Sequence, residues 1–422
     1  MRKIIVQKFG GTSVADTEKI KNVAKTVIRE KENGNDVVVV VSAMGHTTDY
    51  LVKMAKDLSP NPSSREMDML LSTGEGVSIA LLAMAIQAQG YDAISFNAMQ
   101  IGIMTENIHS KARIIDIKTD KLKENLKQGK IIVVAGFQGV TEDGEITTLG
   151  RGGSDTSAVA LAAALNAERC DIYTDVEGVY TTDPRVVPNA SRLEEISYEE
   201  MLELAHAGAN VLHPRSVETA KQFNVPMRVR SSFKLDNLGT LILGVDKMEI
   251  YKPVAGVAAD LSQARIVVCD VPDKPGVAAK LFSKLAKENI SVDMIIQSYA
   301  RKVSNTNDIA FTVDASDLPK TVEALNVLKS EIGATGDIQV DENIAKVSIV
   351  GAGMIDRPGV ASTMFETLAE QGINIRMIST SEIKISCLVD KDQAQKAVKA
   401  LHEVFELESS EIAEVKGDLP NI

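Results

Sequence analysis

A chain of 422 residues is too long for one hydrophobic core, so its length predicts two or three domains. Hydrophobic residues make up 44% and charged residues 25%, which is the balance of a globular protein and excludes a disordered or fibrous one. The net charge of -12 argues against binding to nucleic acid or to an anionic membrane. A small molecule is therefore the expected ligand.

Cysteine spacing and hydropathy indicate the compartment. Cys170, Cys269 and Cys387 lie far apart without a CxxC spacing, so we expect a reducing cytoplasm and no disulfide framework. The amino terminus enters a strand-like run directly. No segment reaches the roughly 18 uninterrupted apolar residues of a membrane span, so we expect neither export nor membrane insertion.

Short β-branched runs alternate with longer helical stretches in the first half of the chain. The predicted strands are 4–6, 37–41, 93–96, 131–134 and 171–174. A helical pattern runs through Val23, Val27 and Ile28, and further helices are predicted at 51–58, 79–88 and 157–166. Strands that are apolar on both faces and separated by helices predict a three-layer α/β sandwich with a mainly parallel central sheet.

Beyond about residue 248 the chain repeats itself. The segment 273–278 (Asp-Lys-Pro-Gly-Val-Ala) recurs as 356–361 (Asp-Arg-Pro-Gly-Val-Ala), an offset of 356 − 273 = 83 residues. The same offset relates 290–295 to 373–378. Each copy is typical of a strand, a Pro-Gly turn, a helix, a cap and a further strand. This pattern predicts two ferredoxin-like βαββαβ modules that arose by duplication.

The first motif that could take part in binding or catalysis lies at the end of the first strand. Gly10 and Gly11 let backbone N–H groups approach a bound anion, and Lys8 adds a full positive charge. Because the lysine precedes the glycines, the motif is not the GxxxxGK[ST] P-loop. A plain turn remains the alternative interpretation of the two glycines.

A second glycine-rich segment, 148–157, precedes an apolar helix. Arg151 can bind a carboxylate bidentately, Asp155 can bind an ammonium, and the helix start near Ser154 stabilises negative charge. The alternative interpretation is a helix cap made by the serine and the aspartate.

Two further loops should lie at the same edge of the sheet. The segment 42–48 follows the strand at 37–41, and the segment 72–76 precedes the helix at 79–88. Because ligands of open α/β sheets bind at the carboxyl ends of strands, these loops are expected to converge. Thr47 and Glu75 would contact a zwitterion. His46 is not needed as a base, since a carboxylate nucleophile with a pKa near 4 is already ionised.

The segment 173–185 begins at a strand end and is rich in turn formers. Its acidic, aromatic and basic side chains suit a nucleotide pocket, with Tyr180 beside the base or ribose and Arg185 on a phosphate. A surface loop explains Asp183 and Pro184 equally well.

Three motifs in this order, at 8–14, 150–156 and 174–185, resemble the aspartate kinases of the amino-acid kinase family, and the resemblance covers nearly the whole chain. The carboxy-terminal repeat resembles the paired ACT domains of those enzymes. The resemblance implies the amino-acid kinase fold. It also implies ATP-dependent phosphorylation of the L-aspartate β-carboxylate to 4-phospho-L-aspartate, the first step of lysine, threonine and methionine biosynthesis.

The resemblance implies roles for residues at matching positions. Lys8, with Asp155, would be catalytic and would neutralise the transferring phosphoryl group. The residues implied around aspartate are Thr47, Glu75, Arg151, Ser154 and Asp155. Those implied around ATP are Lys8, Gly10, Gly11, Thr174, Asp175, Tyr180, Arg185 and Asn210. One position departs from the family, because Asn210 stands where many relatives have lysine; Arg215 is a candidate to supply that charge.

The resemblance also implies the regulatory organisation. A catalytic domain at 1–245 would precede a regulatory region at 246–422, with one ACT domain at about 265–340 and the second at about 247–262 plus 341–422. The implied effector contacts are Asp273, Gly276, Ala278, Gln297, Asn374, Ser381 and Glu382. The effector would be lysine, threonine or both, and the assembly a homodimer or tetramer. Whether a shorter ACT-only subunit starts at a residue such as Met248 stays open.

Two other functions remain as alternatives. One is an amino-acid kinase that acts on glutamate, acetylglutamate, carbamate or a nucleoside monophosphate. The other is a non-catalytic amino-acid sensor on a decayed kinase scaffold. No protein-held metal is expected, because Mg²⁺ would be bound mainly through ATP.

Overall fold

The computed structural model describes residues 2–209, 211–244, 252–299, 301, 305–355 and 357–409. The chain forms two compact units. The first comprises 1–181 and 191–250, and the second comprises 182–190 and 251–422. The short segment that carries Asp183 and Arg185 therefore belongs to the second unit, whereas the residues on either side of it belong to the first.

The first unit is an α/β structure with two sheets. Its strands are β1 (Ile4–Phe9), β2 (Asp36–Val41), β3 (Ala93–Phe96), β4 (Ile103–Thr105), β5 (Ile114–Ile117), β6 (Ile131–Ala135), β7 (Gln138–Val140), β8 (Ile146–Thr148), β9 (Arg169–Thr174), β10 (Glu195–Ser197), β11 (Met227–Ser231) and β12 (Thr240–Leu243). Its helices are α1 (Thr17–Glu32), α2 (Thr47–Leu58), α3 (Ser64–Leu71), α4 (Thr73–Gln87), α5 (Ala98–Ile101), α6 (Asp120–Lys127), α7 (Gly153–Leu165), α8 (Tyr198–His206) and α9 (Pro214–Phe223).

The large sheet has eight strands in the order β10-β12-β11-β9-β1-β2-β6-β3. From β11 to β3 all neighbours pair in parallel, while β12 runs antiparallel to β11. The predicted α/β sandwich with a mainly parallel sheet is thereby confirmed. Because helices cover both faces, the central strands can be apolar throughout, and the five valines 37–41 of β2 are fully buried.

Helices α1 and α4 pack on one face of this sheet, where their apolar residues join those of β1, β2 and β6 in one core. Phe9 of β1 stacks on Tyr173 of β9, with ring centroids 4.5 Å apart. A smaller sheet, β5-β4-β7-β8, lies between β3 and α7 in the sequence. It ends at Thr148, immediately before the second glycine-rich segment.

The continuous stretch Ser64–Gln87, which includes α3 and α4, has the length and mean hydropathy of a membrane span, with 44% of its apolar window buried. Ile79, Leu82 and Ile86 of this stretch lie in the core of the first unit. Its apolar character is therefore explained by packing against the sheet.

The second unit contains the duplicated modules. Its strands are β13 (Gly256–Asp260), β14 (Gln263–Pro272), β15 (Ile295–Gln297), β16 (Thr306–Asp314), β17 (Ile338–Asp341), β18 (Ile344–Val350), β19 (Met377–Thr380) and β20 (Lys384–Asp390). Its helices are α10 (Val277–Lys287), α11 (Leu318–Ile332), α12 (Val360–Glu370) and α13 (Ala394–Val404). Two antiparallel four-stranded sheets result, β15-β16-β14-β17 and β13-β18-β20-β19.

The first module follows the order βαββαβ within one continuous segment, from β14 to β17. The second begins at β18 and takes its remaining edge strand, β13, from before the first module. In both copies a glycine with positive φ precedes an eleven-residue helix, Gly276 (φ +91°) before α10 and Gly359 (φ +103°) before α12. A left-handed backbone favours glycine at these turns, which explains the repeated Pro-Gly signature.

Candidate active site

The carboxyl ends of neighbouring parallel strands meet at one edge of the large sheet. In register, Phe9 of β1 lies between Val41 of β2 and Tyr173 of β9. The loops that follow these strands therefore start side by side. Gly136, which follows β6, joins them because its N–H donates to the carbonyl of Val41 at 3.0 Å. Residues 72–76, which were expected as a loop, lie instead in a continuous helix. That helix meets the loop after β2, where the Glu75 Oε1 accepts from the Ala43 N–H.

Lys8 and Asp155 form an ion pair at the centre of this edge. The Lys8 Nζ lies 2.6 Å from the Asp155 Oδ1, and the two side chains are only 12% and 13% exposed. Lys8 comes from β1, whereas Asp155 sits in the first turn of α7. A cation held at a helix start and largely shielded from water attracts an incoming anion strongly, because screening is weak there.

The first glycine loop is packed tightly against the loop after β2. A Cβ on Gly11 would lie 2.9 Å from the carbonyl oxygen of Ala43 and 3.0 Å from that of Gly45. The Gly45 N–H in turn donates to the Gly11 carbonyl at 3.0 Å. A Cβ on Gly10 would lie 3.6 Å from the Lys8 Nζ. Close packing against the backbone therefore requires glycine at position 11, whereas Gly10 leaves space beside the lysine.

Glu75 is a buried carboxylate in the first turn of α4, with 2% of the residue exposed. Its Oε1 accepts from the Ala43 N–H at 3.2 Å, and its Oε2 has no hydrogen-bond partner within the described residues. Burial raises the pKa of Glu75 to about 7, against a smaller lowering by backbone N–H groups and by the Gln138 side chain. Thr47 lies close by, because its methyl group would be 3.5 Å from a Cβ on Gly74.

The second glycine loop places three predicted substrate contacts. The helix predicted from 157 begins earlier, at Gly153, because Gly152 adopts a left-handed conformation (φ +68°) that reverses the chain into the helix. Ser154 and Asp155 consequently occupy the first turn of α7. Arg151 is exposed and makes no ion pair or hydrogen bond with any residue that the structure describes. Its guanidinium is therefore available to an anionic ligand.

Two residues that sequence reasoning did not assign complete this edge. The Ser42 Oγ donates to the Ser154 Oγ at 3.0 Å, which links the end of β2 to the start of α7. His213 lies against the glycine loop, since a Cβ on Gly152 would be 2.2 Å from its ring. The position of Ser42 directly after an apolar strand was the available signal. No local pattern pointed to the contact of His213.

The residues predicted around the nucleotide follow β9. The Thr174 Oγ1 donates to the exposed Asp175 at 3.0 Å, and the Thr174 carbonyl accepts from the Ser232 N–H at 2.8 Å. Tyr180 is half-buried, and burial raises its pKa. Sequence reasoning missed Glu177, whose carboxylate lies 2.6 Å from the Lys234 Nζ. This ion pair joins the loop after β9 to the loop after β11.

Three further residues were predicted near the nucleotide, and the outcome of the prediction differs from one residue to the next. Arg185 lies in the second unit, where its guanidinium forms an ion pair with Asp183 at 2.6 Å. Asn210 lies outside the described residues. Arg215 donates to the carbonyls of Leu149 and Ala112, at 2.8 and 2.6 Å. Arg215 therefore holds the start of the second glycine loop, and its role as the positive charge near the nucleotide stays a prediction.

The predicted effector residues lie in the second unit and are mostly exposed. In the first module β16 separates Asp273 from Gln297: the Asn307 Nδ2 donates to the Asp273 Oδ1 at 3.2 Å, and Ile309 pairs with Gln297. These contacts, with Gly276 and Ala278 just beyond, lie at one end of that sheet. In the second module the effector residues flank β19, with Asn374 before it and Ser381 and Glu382 in the turn after it.

Comparisons with known proteins agree with this architecture. The model of the amino acid kinase family matches residues 3–231, and two models of the ACT domain match 265–330 and 347–405. The chain is 54% identical over 409 residues to the aspartokinase of Bacillus sp. (strain MGA3), which covers 97% of this chain and 98% of that protein.

Solved structures show the same similarity. The crystal structure of E. coli aspartokinase III in complex with aspartate and ADP is similar with a TM-score of 0.80 at 29% identity, covering 95% of this chain and 99% of that one. The structure of the same enzyme with lysine and aspartate has a TM-score of 0.73 at equal identity and coverage. These similarities confirm the resemblance drawn from the motifs. The chain therefore belongs to the amino acid kinase family, among the phosphotransferases called aspartokinases, with two ACT domains after the kinase domain.

Proposed function

We propose that this protein transfers the γ-phosphoryl group of ATP to the β-carboxylate of L-aspartate, forming 4-phospho-L-aspartate and ADP. The observation that carries the proposal is the shielded Lys8–Asp155 pair at the sheet edge where the two glycine loops start. The E. coli relative solved with aspartate and ADP binds an acceptor and a nucleotide of this kind. The anionic phosphates of ATP and the zwitterionic aspartate are both compatible with the charged side chains at this edge of the sheet.

The aspartate subsite has one group for each charged end of the substrate. Arg151, which has no partner among the described residues, binds the α-carboxylate through its planar guanidinium. The free Oε2 of Glu75 accepts from the α-ammonium. Thr47, Ser154 and Asp155 line the space between these two contacts. The β-carboxylate then faces the first glycine loop.

The nucleotide subsite is formed by the first glycine loop and the loop after β9. Lys8, Gly10 and Gly11 approach the phosphates, and the other proposed contacts are Thr174, Asp175, Tyr180 and, from the sequence alone, Asn210. No group of three or more His, Cys, Asp or Glu side chains suited to a metal occurs within the described residues. Independently of this, Mg²⁺ is proposed to arrive with ATP, held mainly by phosphate oxygens whose charge it would neutralise.

The reaction needs positioning and charge stabilisation more than a protein base. An ionised β-carboxylate oxygen forms a bond to the γ-phosphorus while the bond to the β,γ-bridging oxygen breaks, and ADP leaves with that electron pair. Lys8 exchanges its contact with Asp155 for the oxygens of the transferring group, where negative charge develops. The acyl phosphate reacts with water, so closure of the surrounding loops protects it.

Turnover with purified protein tests the proposal. ADP release is measured with aspartate as acceptor, and hydroxylamine traps the acyl phosphate as a hydroxamate. Glutamate, acetylglutamate, carbamate and nucleoside monophosphates serve as competing acceptors. Aspartate-dependent formation of both products is expected. Preference for another acceptor would assign a different kinase reaction, and absence of turnover with all of them would indicate an amino-acid sensor.

We further propose that the second unit mediates feedback control by lysine, threonine or both, as part of the biosynthesis of lysine, threonine and methionine in the cytoplasm. The E. coli relative has been solved with lysine, which supports an amino acid as effector. The exposed effector residues of the two modules would be covered across a homo-oligomer, a dimer or a tetramer. Inhibition curves with each amino acid and with mixtures, and the mass in solution with and without effector, test this assignment.

A shorter subunit that begins at an internal residue is a separate question. Met248 lies outside the described residues, so the proposal rests on sequence alone. Intact mass spectrometry of the protein purified from its own source would detect an ACT-only chain.

A further inference from the structure

A second buried carboxylate lies close to the active site and has no part in the mechanism above. Asp68, in α3, is 0% exposed. It accepts from the His109 Nδ1 at 2.8 Å, from the Thr148 Oγ1 at 2.6 Å and from the Ser110 N–H, which lies 3.1 and 3.0 Å from its two oxygens. We refer to Asp68, His109, Ser110 and Thr148 as the Asp68 clamp.

The clamp fixes the chain immediately before Arg151. Thr148 is bound by Asp68, and the next residue, Leu149, is bound through its carbonyl by Arg215. The Thr148 carbonyl also accepts from the Ala112 N–H at 3.0 Å. Arg151 follows two residues later and has no partner of its own among the described residues. The position of the Arg151 guanidinium therefore depends on the contacts that fix Thr148 and Leu149.

Ser110 shows that the clamp holds a backbone conformation that would not persist by itself. Its φ of +68° is unusual for a residue with a side chain and costs free energy unless neighbouring contacts stabilise it. Both oxygens of Asp68 receive its N–H. The Ser110 carbonyl oxygen lies 3.0 Å from the place where a Cβ on Gly150 would be. Ser110 therefore defines one side of the Arg151 loop.

The helix that carries Asp68 also carries Glu75. Only Ser72 separates α3 from α4, and its helical backbone makes 64–87 one continuous helix. Residues seven apart lie on nearly the same face, about 10 Å from each other along the axis. One rigid helix thus holds the loop of Arg151 through Asp68 and presents Glu75, the proposed contact of the substrate ammonium.

We infer that Asp68 is a positioning residue for aspartate binding. It fixes the Arg151 guanidinium at the distance from Glu75 that matches the carboxylate and the ammonium of an α-amino acid. This inference rests on the proposed function, because it assumes that Arg151 and Glu75 bind the two ends of the substrate. Burying a carboxylate is costly unless donors surround it, and the donors that surround Asp68 come from the two segments that border the Arg151 loop.

The variant Asp68→Asn keeps the size of the side chain but replaces one acceptor oxygen with a donor. We expect the KM for aspartate to rise about tenfold or more, with the KM for ATP and kcat changed by less than about threefold. Glu66→Gln is the matched control, because Glu66 lies on the same helix with a side chain that is 66% exposed. It should leave all three parameters unchanged.

A double-mutant cycle separates positioning from general stability. If Asp68 acts through Arg151, adding Asp68→Asn to Arg151→Ala should change the KM for aspartate by less than about twofold. If the two substitutions instead raise the KM for aspartate independently, so that their factors multiply in the double variant, the inference is overturned. A normal KM for aspartate in folded Asp68→Asn would also overturn it. If Asp68→Asn does not fold, the variants Thr148→Val and Thr148→Ser test the same inference from the other side of the contact. Valine removes the hydroxyl that donates to Asp68 and serine keeps it, so only the valine variant is expected to raise the KM for aspartate.

The same measurements distinguish failure of this inference from failure of the proposed function. If the wild-type protein phosphorylates aspartate and Arg151→Ala raises the KM, but Asp68→Asn and Thr148→Val do not, only the positioning role is wrong. If the wild-type protein does not use aspartate, the proposed function itself fails.

Discussion

The residues proposed for catalysis and those proposed for effector binding are held in contrasting ways. In the first unit Lys8 and Asp155 are mostly shielded and paired with each other, and Glu75 is buried against the Ala43 backbone. In the second unit Gln297, at the end of β15, and Asn374, in the segment before β19, are exposed. The kinase edge is preorganised by its own chain, which suits a reaction driven by fixed charges. The effector positions are accessible to a ligand and to a second subunit.

This contrast predicts that changes at the kinase edge alter turnover directly, whereas changes at the effector positions alter only its control. The largest effect is expected for Lys8→Ala. Because Lys8 stabilises charge that builds up in the transition state, kcat should fall about 100-fold or more, with smaller changes in both KM values. Lys3→Ala is the control, since Lys3 forms an exposed ion pair at the other end of β1. Near-normal turnover of folded Lys8→Ala would remove its catalytic role.

The next largest effect is expected for Arg151→Ala. Loss of a charged hydrogen-bonding group should cost about 2 to 3 kcal/mol, which corresponds to an increase of roughly 30- to 150-fold in the KM for aspartate. The KM for ATP should stay nearly constant. Arg65→Ala, which removes an exposed arginine paired with Glu66 and Glu145, is the matched control. An unchanged KM for aspartate would contradict the assignment of Arg151.

A smaller effect is expected from pH. Burial raises the pKa of Glu75 to about 7, so Glu75 is largely protonated at pH 6 and ionised at pH 8. Since only the ionised form attracts the substrate ammonium, the KM for aspartate should fall about tenfold from pH 6 to pH 8. In Glu75→Gln this dependence should disappear, while the KM for ATP serves as the internal control. A flat profile in the wild type would show that Glu75 does not bind the ammonium.

The smallest effect on basal activity is expected for Gln297→Ala and Asn374→Ala. Both residues are exposed and lie in the second unit, so uninhibited kcat should stay within about twofold of the wild type. Inhibition by lysine, threonine or their mixture should be relieved, since effectors typically act through about 1 to 3 kcal/mol of coupling. Inhibition curves and calorimetric titration of the full-length protein measure both quantities. Unaltered inhibition in both variants would place the effector elsewhere.

Much of the fold was predictable because it depends on neighbours in the sequence. Runs such as 37–41 predicted buried parallel strands, and the observed β2 differs from that prediction by one residue. The helix α7 was placed too late, because the turn at Gly152 depends on a left-handed backbone that hydrophobic periodicity does not reveal. The hydrogen-bond partners of Arg215 were not predictable for a related reason, because the carbonyls of Leu149 and Ala112 are 66 and 103 residues away in the chain.

The amino-acid sequence by itself determined the order of the elements, the duplication and the residue types that carry charge, since these are properties of local pattern. Only the tertiary structure decided which charges meet. The large sheet and helix α7 bring Lys8 to Asp155, and the packing of α3 against the small sheet brings Asp68 to Thr148, pairs that are far apart in the chain. Burial then sets the electrostatics, as at Glu75, because the cost of removing a carboxylate from water depends on the atoms packed around it.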